Sequence, residues 1–175
     1  MQRLRRLATG IDRLTAALGR TVRWLVLLMV LVAAFNALAR YGGRFLGVSL
    51  SSNGWLELQW YLFGVVVLLA APDALRRDAH VRVDVLHGRV SPAWRHRIDA
   101  AGALLLLLPF CVFAVVVSLP SVRASWAVWE GSPDPGGLPR WPIKTVVPVA
   151  FALLGLQGIA ELVKHGLPAD EVADP

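Results

Sequence analysis

The chain has 175 residues, 56% of them hydrophobic and 17% charged, with a mean hydropathy of +0.57, a net charge of +6 and a pI near 10.7. That hydropathy lies above the range of water-soluble domains, and so much apolar sequence in a short chain leaves no polar shell around a soluble core. Nucleic-acid binding is excluded as the reason for the high pI, because the basic residues crowd beside apolar stretches, where membrane topology accounts for them.

Residues 3–20 come first. Leu4, Leu7, Ile11, Leu14 and Leu18 fall within about 80° of arc at the helical 100° per residue, with Arg5, Arg6, Asp12, Arg13 and Arg20 on the other side. An apolar stripe with an arginine-rich back predicts an amphipathic helix lying in the membrane surface; packing against another protein's helices would use the same stripe. A cleaved signal peptide is not expected, since the basic region before the apolar run exceeds 20 residues.

Four apolar stretches follow, at residues 24–39, 55–71, 100–122 and 145–160. The hydrocarbon layer takes about 20 helical residues. The third stretch meets this outright, and the shorter first and fourth reach it if their flanking long side chains snorkel to the interface. The expected fold is therefore an all-α membrane protein with four transmembrane helices at about 22–41, 55–75, 98–120 and 143–163. The amphipathic helix precedes them, and a flexible tail occupies 168–175. Glu57 and Asp73 sit near the ends of the second span, where snorkelling makes a charge cheap.

The connecting segments carry their own signals. Residues 80–86, His80-Val81-Arg82-Val83-Asp84-Val85-Leu86, alternate polar and apolar side chains, as an extended segment half in the interface would. Ser91-Pro92 is a helix start, serine as N-cap and proline where its missing N–H costs nothing. The helix it opens is expected to run to about residue 119, roughly 42 Å, with a kink at Pro109. Residues 130–142 (EGSPDPGGLPRWP) contain four prolines and three glycines, which predicts an irregular, fixed loop.

Charge sets the expected orientation. Thirteen basic residues lie before span one, between spans two and three, or after span four; five lie on the other side. The positive-inside rule then places both termini in the cytoplasm. Trp24 and Trp94 fall at the inner boundary and Trp55, Trp126, Trp129 and Trp141 at the outer one, as indoles with one polar N–H prefer. Only Trp60 falls within a span.

Chemistry is sparse. The single cysteine, Cys111, is mid-span, so no intrachain disulfide or CxxC pair is possible. His80, His87, His96 and His165 all lie outside the spans, where they cannot hold a haem between helices. No nucleotide-binding loop, HExxH or GxSxG occurs. No catalytic residue, metal site or cofactor is expected. The polar candidates within spans are Asn36, Glu57, Gln59, Asp73 and Gln157.

WLELQWYLFG at residues 55–64, DAHVRVDVL at 78–86, SPAWR at 91–95, GGLPRWPIK at 136–144 and LQGIAELVK at 156–164 resemble the small membrane subunit of tripartite ATP-independent periplasmic (TRAP) transporters. The resemblance runs from about residue 11 to residue 165, and the GGLPRWP segment is similar to a subset labelled for mannitol, chloroaromatic compounds or 2-oxo acids. The family implies a static scaffold that binds a large membrane subunit, while that subunit moves an organic acid, delivered by a periplasmic binding protein, on an ion gradient. It also implies contact or bracing roles for Glu57, His80, Arg82, Asp84, Arg140 and Trp141. Partners would be the large subunit, the binding protein and membrane lipid, with no nucleic acid. The alternative is an autonomous small carrier or channel; a membrane enzyme or cytochrome subunit is a third reading. Ala71-Pro72-Asp73 departs from the family pattern and predicts that helix two kinks or ends early.

Overall fold

The computed structural model describes residues 2–47, 51–79 and 91–166, and all regular structure among them is helical. The elements are α1 (Gln2–Leu46), α2 (Asn53–Arg76), α3 (Pro92–Gly102), a π-helical segment (Ala103–Leu107), α4 (Leu108–Ala127) and α5 (Trp141–Gly166). Among the described residues four stretches are long and apolar enough to cross a membrane: Gln2–Phe45, Asn53–Arg76, Arg97–Ala127 and Trp141–Lys164. Residues 80–86, with His80, Arg82 and Asp84, and the tail at 168–175 lie outside the described residues.

The largest departure from expectation is α1. The amphipathic stretch is helical, but it is not a separate element: the helix runs unbroken for 45 residues, roughly 68 Å at 1.5 Å per residue. Nothing in the sequence interrupts it, since the first proline of the chain is Pro72. Its first half also packs within the chain, burying Ala8, Thr15 and Val22. Gly47, with φ +69°, takes the left-handed backbone that ends helices.

Helix α2 does not end early at Pro72. The proline is fully buried inside the helix, which continues to Arg76. Asp73 holds that last turn, accepting from Arg76 Nε (3.0 Å) and Nη2 (2.7 Å) and pairing with Arg77 Nε at 2.8 Å. Its backbone carbonyl accepts from Arg77 N–H at 3.0 Å.

The third span starts as expected, with Ser91 extended and Pro92 at the first helical position. Where a kink is expected at Pro109, the helix carries a π-helical segment that ends two residues before it. A proline lacks an N–H and crowds the carbonyl four residues back; one wider turn relieves both. The helix then passes residue 119 and runs through Pro120 to Ala127.

Helix α5 is the hub. It packs against α1, α2 and the whole third span, while α1 and α2 also pack on each other. Close approach depends on glycine. A Cβ on Gly158 would lie 3.0 Å from Leu107 Cδ2, and one on Gly155 would lie 3.4 Å from Cys111 Cβ. On α1, a Cβ on Gly19 would fall 2.2 Å from Asp73 Oδ2 and 2.9 Å from Asp73 Cβ. Helices in lipid associate through such small residues, because apolar side chains gain nothing by leaving hydrocarbon for each other. The outward surfaces carry Leu105, Leu106, Val112, Phe113 and Val116, all exposed, as a membrane protein's must.

Gly19→Ala should therefore lower the unfolding free energy of the detergent-solubilised protein by about 1–3 kcal/mol, the range for overpacking. Gly10→Ala, with nothing within 4 Å of its added Cβ, should leave stability unchanged or slightly raised. Reversible denaturation of the two variants side by side measures the difference.

Candidate functional site

The chain's polar groups gather at the two ends of the bundle. At one end the irregular segment between α4 and α5 folds back over the start of α2. Glu57, one turn into α2, is only 3% exposed. Its Oε1 accepts from the Ser132 hydroxyl and its Oε2 from the Leu138 backbone N–H at 2.5 Å. One carboxylate thus holds the loop at two points six residues apart. It reaches them because Gly137 has no side chain: a Cβ there would lie 2.4 Å from Ser132 Cβ and 2.7 Å from Glu57 Oε2. Neighbouring bonds complete the clamp. Asn53 Nδ2 donates to Pro135 O at 3.1 Å, and the Tyr61 hydroxyl donates to Pro139 O at 3.3 Å.

The two feet of the loop are joined to each other. Arg140 N–H donates to Glu130 O at 2.8 Å, and Lys144 Nζ pairs with Glu130 Oε2. The Lys144 ammonium, with the Arg140 charge adding to it, holds the Glu130 carboxyl below the ordinary carboxylate pKa of 4.5. Among the described residues, Arg140 Nε is buried without a hydrogen-bond partner. Trp126, Trp129 and Trp141 pack together at ring separations of 4.3, 5.3 and 5.9 Å, and Trp126 Nε1 donates to Thr145 Oγ1 at 2.9 Å.

At the opposite end α1 is tied to α5. Gln157 is fully buried and shares its amide between helices: Oε1 accepts from the Thr15 hydroxyl at 2.9 Å, and Nε2 donates to Asp12 Oδ1 at 2.9 Å and Glu161 Oε1 at 2.8 Å. Lys164 Nζ bridges the same two carboxylates at 2.9 and 2.7 Å. All five polar groups find donors or acceptors within the chain, as burial in an apolar surround demands.

Of the residues singled out by sequence, Glu57, Arg140 and Trp141 thus meet at the loop end. His80, Arg82 and Asp84 lie outside the described residues. Glu57 and Asp73 do not snorkel; both are buried and bonded to their own chain. Ser132, Leu138, Glu130 and Lys144 were missed, because their partners are 14 to 81 residues away. The far cluster did leave a trace: Gln157, Glu161 and Lys164 share a helix face at i, i+4 and i+7. Asp12, placed on the solvent side of the amphipathic stretch, faces that stripe instead.

Residues 29–165 match the family model described as tripartite ATP-independent periplasmic transporters, DctQ component. The chain belongs to this family. The match spans α2 and the third span entirely and α5 up to residue 165. No match was found among curated proteins or among solved structures. The DctQ component is the small permease component of a transporter, and the geometry at both ends accords with a structural part: carboxylates tie elements together and have their acceptor positions taken by the chain's own donors.

Two outcomes follow. Glu57→Ala removes the acceptor of the Leu138 amide, whose hydrogen exchange should accelerate by roughly tenfold or more; Glu57→Gln, which keeps one acceptor oxygen, should accelerate it less. Glu130, its folded pKa depressed, contributes stability that is complete above the unfolded value near 4.5 and is lost as pH falls through the lower folded value. The melting temperature should therefore drop on going from pH 6 to pH 4, and Lys144→Met should shrink that drop, as a thermal melt followed by tryptophan fluorescence would read.

Proposed function

We propose that this chain is the scaffold partner of a large membrane subunit in ion-gradient-driven uptake of an organic acid, which a periplasmic binding protein delivers. The loop end faces the periplasm and both termini face the cytoplasm of a bacterial inner membrane. The observation that carries the reading is the DctQ family match over residues 29–165. It is supported by the arrangement of the acids: Glu57, Asp73, Asp12 and Glu161 each fasten parts of this chain to one another. The thirteen-to-five distribution of basic residues supports the orientation.

On this reading Glu57 braces the periplasmic loop, while Arg140 and Trp141 form part of the surface that the loop presents. His80, Arg82 and Asp84 brace the cytoplasmic connection or contact the large subunit there. Basic residues 3–23 sit at the inner headgroup layer, where anionic lipid attracts them.

The test is co-expression with the large subunit and the binding protein. The chain should co-purify with the large subunit, its deletion should abolish uptake, and the purified chain alone should move no solute in liposomes. Transport by the chain alone would establish the autonomous-carrier alternative. His80→Ala with Asp84→Ala should reduce assembly or uptake severalfold; wild-type levels of both would remove that pair from the contact.

A further inference from the structure

The outward faces of the four spans differ in chemistry. Exposed side chains between residues 110 and 117 of α4 are Phe110, Val112, Phe113, Val116 and Val117, and the large exposed ones along α5 are Val149, Leu156 and Ile159. Within the span of α1 they include Leu27, Leu31, Phe35 and Leu38. Hydrocarbon satisfies all of these.

Helix α2 is different. Leu56, Trp60, Phe63 and Val67 are exposed at i, i+4, i+7 and i+11, one continuous stripe. Gln59, half-exposed, borders it. Trp60 lies five residues inward from Trp55, roughly 7 Å deeper by the helical rise, so its place is not the headgroup layer that indoles favour. Its ring is held edge-on to Tyr61 at 4.8 Å, and Tyr61 is itself fastened to the loop at Pro139. Among the described residues no hydrogen bond engages the Gln59 amide or the Trp60 indole N–H. Lipid tails offer neither group a partner. In a membrane, polar side chains on an outward face mark helix–helix contact, and a half-exposed, pre-positioned tryptophan is a favoured anchor for it.

We propose that this α2 stripe, with Gln59 at its edge, is the surface on which the large membrane subunit docks. Its partner there is a transmembrane helix presenting a hydrogen-bond acceptor for the Trp60 N–H and a polar group for the Gln59 amide, at the depth of the outer half of the span. The faces of α4 and α5, whose exposed side chains from residue 110 to 117 and from 149 to 159 are apolar, are left to lipid. The assignment rests on the tripartite reading above and adds the face and the chemistry.

The experiment uses the full three-component system. A photo-crosslinking phenylalanine analogue replaces Trp60 in one sample and Phe113 on α4 in another. The first should yield an adduct with the large subunit and the second should not. In parallel, Gln59→Leu with Trp60→Leu should leave membrane insertion unchanged and cut recovery of the large subunit by about tenfold, while Phe113→Leu with Val116→Leu should leave recovery intact. An adduct from position 113 instead of 60, lipid adducts alone at 60, or undiminished recovery would overturn the assignment; should the double variant fail to insert, the cross-link decides. An unaltered chain that recovers no large subunit would instead overturn the tripartite reading itself.

Discussion

Hydrocarbon offers no hydrogen bonds, so a polar side chain carried below the headgroup layer must find its partners within protein. Much of this structure answers to that constraint. Glu57 is drawn inside the bundle and takes its donors from a loop that follows it by 75 residues and more. Gln157, with no exposed surface, takes its partners from α1, at the other end of the chain. Glu57 and Gln157 therefore become joints between elements distant in sequence. Two joints, one at each end of α5, position the remaining helices.

Between the joints the bundle relies on absence of bulk. Gly19, Gly155 and Gly158 let side chains of α2, α4 and the π-helical segment approach the opposing backbone. Where helices gain little from hiding apolar surface, close contact and dispersion do most of the holding. The third span, attached mainly to α5, presents most of its surface outward. The π-helical turn before Pro109 relieves the proline while keeping Leu107 and Leu108 against Gly158.

A scaffold needs stiffness more than chemistry. The segment between α4 and α5 has three prolines to limit its backbone, a carboxylate clamping its middle and an ion pair across its feet. Such a loop offers a partner a surface whose ordering entropy is already spent, which favours association. A continuous 45-residue α1 tied to α5 in its first third makes the other end similarly rigid.

The sequence alone determined the number of spans, the irregular loop, the helix start at Ser91-Pro92 and the family, because hydropathy, proline and glycine placement, and local motifs are properties of neighbouring residues. It also singled out Glu57, Arg140 and Trp141, which the fold brings to one end. Other features needed the tertiary structure. That the first half of α1 packs within the chain depends on Thr15 and Asp12 finding Gln157 and Lys164 across the bundle, while Leu4, Leu7 and Leu14 of the apolar stripe stay exposed. That Glu57 and Asp73 are buried instead of snorkelling depends on the spacing of donors in Ser132 and Leu138, and on the open side of Gly19. These outcomes hang on contacts between residues far apart in the chain, and no local pattern encodes which distant donor a carboxylate will meet.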